Sequence, residues 1–244
     1  MKICTWNCLG PRYDKDEEID LWKEKIKWLK KKYQAELYVI QECSKKQVDI
    51  ARGNIWNYAA WYGDDIDWFM RGTAIFSDER YFTEREEFFH NPKFRYVVPY
   101  RIKNAKENLD FILYNVWTKA KPQNKEYEKD AYYFYENNVK EALAFYNATK
   151  HLEKSILIGD FNFGRDAKSV EESFGKFLEE YNFTIAEKIS NEIVTYKATT
   201  NKEYFNDICF GRDLDISLLR KGTFEELSGK SDHIPLLFEV KNSK

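Results

Sequence analysis

The sequence predicts an α/β protein in which mixed β-sheets pack on each other and are covered by helices. Two observations lead there: short strand-like segments recur along the whole chain, and helical segments lie among them in both halves. "KICTWN" alternates and is rich in strand formers. "DEEIDLWKEKIKWLKKKY" then sets Ile19, Trp22, Ile26 and Leu29 at helical spacing, with acids first and lysines last, as the helix dipole prefers. "AELYVIQE" reads as a buried strand ending in a carboxylate, which completes a strand, helix, strand opening. The middle is richer in strands, and "RGTAIFSD", "YFTEREEFF", "FRYVVPYRIK" and "LDFILYNVWT" read as consecutive antiparallel members. A long amphipathic helix, "KDAYYFYENNVKEALAFYNATKHL", leads into the strand "SILIGDFN". A further helix, "KSVEESFGKFLEEY", precedes the strands "YFNDICFG", "LDISLL" and "IPLLFEV".

The 244 residues can bury a large core, and nothing divides them: there are ten glycines and five prolines, with no linker tract and no internal repeat. One domain over 1–244 is expected. No stretch has the length and apolarity of a signal peptide or a membrane span, so a soluble, cytoplasmic protein without membrane contact is expected. Cys4, Cys8, Cys43 and Cys209 form no C-x-x-C pair, which speaks against a zinc site or a disulfide framework and for buried, reduced thiols. The net charge of -2 comes from 39 basic and 41 acidic residues, a balance that argues for no nucleic-acid partner by itself and leaves room for a local basic face. Aromatic residues reach 17%, enough to fill a core and leave some to stack on bases.

Polar residues gather where strands end. They are Asn7 after "ICTW", Glu42 after "YVIQ", Asp160 and Asn162 in "LIGDFN", Asp207 in "YFNDICF", and Asp232 with His233 in "SDHIPL". Singly, Asn7 reads as a turn residue and Glu42 as a solvated charge. "GDFN" is more specific, because it pushes an Asp and an Asn out of a buried strand, where unpaired polar groups cost free energy. A capping turn would also account for it.

In order and distribution, "TWNCLG", "IQE", "GDFN", the aliphatic strand around Asp207 and "SDHIPL" resemble the endonuclease/exonuclease/phosphatase superfamily, the DNase I-like proteins. The resemblance runs from residue 3 to residue 238. It implies a four-layer α/β/β/α sandwich of two mixed β-sheets flanked by helices, with a site at one edge where strand ends converge. It also implies hydrolysis of phosphodiesters with a divalent metal, Mg2+ first and Mn2+ as a substitute. Magnesium takes oxygen ligands from one or two carboxylates and keeps several waters, so Glu42 is the first ligand expected, with Asn7 and Asp232 close to the ion directly or through water. Asp160 would take a proton from the attacking water or orient it, and Asn162 would hold that water or a phosphate oxygen. His233 would donate hydrogen bonds to the pentacovalent phosphate, with Asp207 holding its ring and favouring the imidazolium.

One position departs from the pattern: where family members carry a histidine or tyrosine after the strand "LDFILYNV", this chain has Trp117. An indole N–H donates a hydrogen bond but cannot shuttle a proton. Packing and phosphate contact are both open for Trp117, and Tyr127 and Thr118 are alternative donors. Asn115, two residues earlier, would face the same way on a strand. His90 and His151 match no motif and read as surface residues. The expected substrate is a nucleic acid, DNA or RNA, and no obligate protein partner is evident. Weak support comes from "KWLKKK", and Arg95 and Arg101 are candidate phosphate contacts. The alternatives are a phosphatase or phosphodiesterase for a small or lipid phosphate, and an inactive binding protein on the same scaffold.

Overall fold

The computed structural model describes residues 1–10, 16–63, 71–83, 94, 96–118, 131–148, 153–164, 167–187 and 193–243, with the side chains of 131–136, 167, 171 and 173 excepted. The chain opens with β1 (Lys2–Asn7), α1 (Asp16–Tyr33) and β2 (Leu37–Cys43). α1 follows the charge pattern of its sequence, with Asp16, Glu17 and Glu18 in the first turn and three lysines in the last, and it buries Ile19, Trp22, Ile26, Leu29 and Tyr33. α2 (Lys45–Ala51) starts from a reciprocal capping box between Ser44 and Gln47. β3 (Tyr58–Gly63) and β4 (Gly72–Ser77) come after it.

Next come β5 (Phe82–Thr83), β6 (Val97–Asn104) and β7 (Leu109–Trp117), then α3 (Ala131–Ala148) and β8 (Ser155–Asp160). α4 (Ala167–Val170) runs through a π-helical segment, Glu171–Gly175, into α5 (Lys176–Glu179). β9 (Thr184–Ile185), the short hairpin strands β10 (Tyr196–Lys197) and β11 (Glu203–Tyr204), β12 (Asp207–Arg212), β13 (Leu214–Lys221), α6 (Phe224–Leu227) and β14 (Leu236–Asn242) complete the chain.

Among the described residues these strands form two six-stranded sheets, ordered β13-β14-β1-β2-β4-β3 and β5-β6-β7-β8-β12-β9, while β10 and β11 pair only with each other. Both large sheets are mixed: β1 runs parallel to β2 and β7 parallel to β8, and the other pairs are antiparallel. The sheets face each other through β1, β2 and β4 on one side and β7 and β8 on the other. Helices close the outer faces. α1 packs Trp28 on Trp6 of β1, while Tyr146 of α3 stacks near Tyr114 and Phe174 lies among Phe161, Phe163 and Phe210. The result is the four-layer α/β/β/α sandwich. Covered on both faces, β4 and β8 are buried from end to end, which is why their sequences read as unbroken apolar or small runs.

The expected antiparallel run through the middle of the chain needs one correction. β4, in "RGTAIFSD", does not pair with β5, the next strand along the chain; it lies between β2 and β3 in the first sheet, and the chain then crosses to the second. Of the four segments expected to form that run, β5, β6 and β7 are the consecutive antiparallel neighbours. A strand buried on both faces needs a partner on each edge for its backbone, and local pattern does not say which strands supply them.

Candidate active site

Each predicted polar residue sits where a strand of one of the two sheets stops or begins. Because β1 and β2 are parallel, Asn7 and Glu42 leave the first sheet side by side; because β7 and β8 are parallel, Trp117 and Asp160 do the same in the second. Asp207 opens β12 in antiparallel register with Asp160. The backbone bends sharply here: Glu42 has φ 57 and sits where the β2–β4 register slips, and Asn162 has φ 51. A bulge of this kind re-aims one side chain out of the alternation, and here the residue is Glu42. Gly10 approaches so closely that a Cβ there would lie 2.1 Å from the Glu42 carbonyl oxygen.

Asn7 joins the two sheets. Its Nδ2 donates to Asp160 Oδ2 at 2.8 Å and to Glu42 Oε1 at 3.1 Å, while its Oδ1 accepts the Leu9 N–H at 3.1 Å. This orientation differs from the expected ligand role: Asn7 turns a donor, not an oxygen, toward the carboxylates. Asn162 secures Asp160 from the other side, its backbone N–H on Oδ1 and its amide on Oδ2, both at 2.9 Å. Asp160 is completely buried, and burial above all pushes its pKa up to about 7; Asp207 adds to the rise, while His233, Asn7 and Asn162 oppose it.

His233 Nδ1 lies 2.7 Å from Asp207 Oδ2, and Nε2 lies 3.9 Å from Asp160 Oδ2 and 4.0 Å from Asp232 Oδ1. Burial opposes a charged ring, but the charges of Asp207, Asp160 and Asp232 outweigh it and push the pKa up to about 10. The triplet around His233 is fixed by several elements. Ser231 Oγ donates to Asn7 O at 2.8 Å and accepts the His233 N–H at 3.1 Å, and Trp6 Nε1 donates to His233 O at 2.8 Å. Ile234 N–H donates to Thr195 O, and Thr195 Oγ1 accepts the backbone N–H groups of Asn206 and Asp207 at 2.8 and 2.9 Å. Tyr196 covers the imidazole, with ring centroids 4.6 Å apart, and Tyr204 lies beyond it. Trp6, Thr195, Tyr196 and Ser231 were not among the sequence candidates. Ser231 lies inside the "SDHIPL" motif and Trp6 inside "TWNCLG", while Thr195 and Tyr196 carry no local signal of their partners.

The other candidates differ in placement. Asn115 does face inward, but it is fully buried between the sheets, accepting from Gln41 Nε2 at 2.9 Å and donating to Ala74 O at 3.1 Å. Its hydrogen bonds are thus made inside the core. Trp117 is in register beside Asp160 at 7% exposure. Thr118 gives its hydroxyl to Phe161 O at 2.6 Å, which leaves it no proton for a substrate. Arg101 pairs with Asp110 near the start of β7, the end remote from Trp117. Tyr127, His90, His151 and Arg95 lie outside the described residues.

A divalent cation suits the oxygen-rich side of this cluster. Asp232 Oδ1 is buried and has no hydrogen-bond partner among the described residues, the condition of a carboxylate oxygen that a cation would satisfy. Glu42 faces the same region and is ion-paired with Arg71. Asp160, Asp207 and His233 also present ligand atoms within 4.8 Å of one another, but Asp207 Oδ2 and His233 Nδ1 are engaged with each other. Glu42 and Asp232 add carboxylate oxygens of the kind a hard cation prefers, and Asp207 Oδ1 is likewise buried without a hydrogen-bond partner among the described residues.

No family model and no curated protein matches the sequence. Solved structures do match, over nearly the whole chain. A 3'-5' exonuclease (NExo) from Neisseria meningitidis is 17% identical with a TM-score of 0.62, covering 99% of this chain and 100% of that one. The catalytic domain of Xenopus laevis APE2 is 18% identical with a TM-score of 0.63, covering 99% and 92%. The AP endonuclease LMAP from Leishmania major is 12% identical with a TM-score of 0.65, covering 100% and 88%. With two mixed sheets, four layers and these structural relatives, the chain has the DNase I-like fold.

Proposed function

We propose that this chain is a Mg2+-dependent phosphodiester hydrolase of the cytoplasm, a nuclease acting on DNA or RNA by attack of water on phosphorus. The observation that carries the reading is the buried Asp207–His233 pair, whose free ring nitrogen lies 3.9 Å from Asp160 and 4.0 Å from Asp232, while Glu42 is tied to Asp160 through Asn7. Asp160, kept basic by burial and steadied by Asn7 and Asn162, orients the attacking water and draws its proton. His233, charged through Asp207, donates from Nε2 to a phosphoryl oxygen as negative charge builds there. Glu42 and Asp232 would hold the Mg2+, which when bound neutralises charge on the phosphate and leaving oxygen. Structural neighbours described as a 3'-5' exonuclease and an AP endonuclease, and one described as a 3' phosphatase bound to a product DNA hairpin, support a nucleic-acid substrate. Among the described residues no helix is long and apolar enough to cross a membrane, and Cys4, Cys8, Cys43 and Cys209 are free and buried.

The test is cleavage of supercoiled plasmid, single- and double-stranded DNA, an abasic oligonucleotide and RNA, with Mg2+ or with chelator, beside the His233→Ala protein. Cleavage that needs the metal and disappears in the variant is the expected result. Cleavage that persists in His233→Ala or in chelator rejects the mechanism. No cleavage of any of these substrates rejects the nuclease.

A further inference from the structure

We infer that the Arg71 guanidinium competes with the divalent cation for Glu42, so that loading the site requires an exchange of one cation for another. The inference rests on the proposed reading of Glu42 as a ligand and adds a residue that no motif in the sequence marked. Arg71 stands immediately before β4, and its two terminal nitrogens are both engaged: Nη1 binds Glu42 Oε2, and Nη2 binds the Gly10 carbonyl. Asn7 Nδ2 holds the other oxygen, Oε1, at 3.1 Å. Each oxygen of Glu42 thus already accepts from a donor, and Arg71 puts a positive charge where an incoming ion would bind.

Of the two, Asn7 is fixed by three partners, since it also bonds Asp160 Oδ2 and the Leu9 N–H. Arg71 is held less completely. Its Nε is buried without a hydrogen-bond partner among the described residues, so part of its desolvation is uncompensated. The guanidinium is therefore the group that leaves. With side-chain exposures of 12% for Arg71 and 16% for Glu42, the pair is shielded from bulk water, where a fixed positive charge opposes a second cation strongly. Lys25 Nζ adds positive charge to the same place through its bonds to Cys8 O and Leu9 O, both at 3.3 Å. On leaving Glu42, the planar fork of Arg71 suits a phosphate oxygen pair, which couples filling of the metal site to binding of the substrate's phosphate.

The experiment is a Mn2+ titration, followed by the electron paramagnetic resonance of free Mn2+ and by calorimetry, on the full chain and on Arg71→Ala, Arg71→Lys and Glu42→Gln, without substrate. Thermal melts confirm which variants are folded. Removing the guanidinium should tighten Mn2+ binding on the order of tenfold. Arg71→Lys, which keeps the charge, should stay much closer to the parent, and Glu42→Gln should bind weakly. Equal or weaker Mn2+ affinity in folded Arg71→Ala overturns the competition while leaving the metal site in place. Absence of Mn2+ binding in both the parent and Arg71→Ala overturns the metal site, and with it the reading of function on which the inference rests. If Arg71→Ala does not fold, Arg71→Gln, which also removes the charge, decides: Mn2+ should again bind more tightly than to the parent, and equal or weaker binding overturns the inference.

Discussion

Replacing Asp207 by Asn isolates the charge that organises His233. The carboxylate oxygen lies 2.7 Å from Nδ1, and the two side chains are 1% and 5% exposed, so little water is present to take its place. Asn can present an oxygen in the same position but carries no charge. A hydrogen bond to a charged group contributes about 1.5–3 kcal/mol against about 0.5–1.5 kcal/mol for a neutral one, so the substitution removes on the order of 1–2 kcal/mol. If His233 meets its full demand only in the transition state, that difference appears as a roughly 5- to 30-fold fall in kcat at about 1.36 kcal/mol per tenfold, with KM nearly unchanged. The assay is steady-state hydrolysis of bis(p-nitrophenyl) phosphate with Mg2+ or Mn2+, beside a thermal melt. The strand itself should hold, because Thr195 Oγ1 anchors the Asp207 N–H at 2.9 Å independently of the side chain. A folded Asp207→Asn protein with kcat within twofold of the parent would show that Asp207 does not set the state of His233.

Removing Tyr196's ring should expose one face of the imidazole, so Tyr196→Ala should lower kcat several-fold and Tyr196→Phe should not; equal rates in both variants would remove the ring from any positioning role. Gly10→Ala drives a Cβ to 2.1 Å from the Glu42 carbonyl and should destabilise the protein by roughly 1–3 kcal/mol, read as a lowered denaturation midpoint; an unchanged midpoint would mean that the loop has room to move. Asn115→Leu deprives Gln41 and the Ala74 carbonyl of partners in the core, at a cost of about 1–3 kcal/mol in urea unfolding. The folded Asn115→Leu fraction should keep its kcat, and a selective loss of activity would return Asn115 to the site.

Much of this site can be read in the sequence, for a physical reason. A buried strand that ends in a carboxylate or carboxamide advertises itself, because a polar group at the end of "LIGD" or "YVIQE" must find a partner or reach water. The Asp207–His233 pair is legible only through its motifs, since 26 residues separate the partners and no spacing rule joins them. Arg71 is invisible: it stands before an ordinary strand, and its partner Glu42 lies 29 residues earlier, across a β-bulge that no local pattern announces. The same limit explains β4. "RGTAIFSD" states that it is a buried strand, but its neighbours are fixed by how two sheets share the chain. By contrast, the start of α2 carries a local signal that the strand and long-helix patterns do not include: Ser44 with Gln47 three residues on is a capping box written in the sequence.

The position of Asn7 shows why these strand ends make a site rather than a scatter of surface charges. It belongs to the first sheet, yet its shortest side-chain contact, at 2.8 Å, is Asp160 of the second. One layer inside, Gln41 of the first sheet reaches Asn115 of the second at 2.9 Å, and Asn115 returns a bond to Ala74 of the first. Polar bonds between packed sheets are costly unless each group is satisfied, and once satisfied they permit a single alignment, because a shift of one residue turns every side chain to the other face. The spacing between Asp160 and Glu42, the carboxylates proposed for the water and the metal, is therefore set by the packing of the whole sandwich. Loops on the rim can change the substrate without moving those two carboxylates, whereas a lesion in the core, such as Asn115→Leu, acts on stability before chemistry. Activity lost through Asp207 and stability lost through Asn115 should consequently be separable in the same protein, and their combined effects additive within about 0.5 kcal/mol.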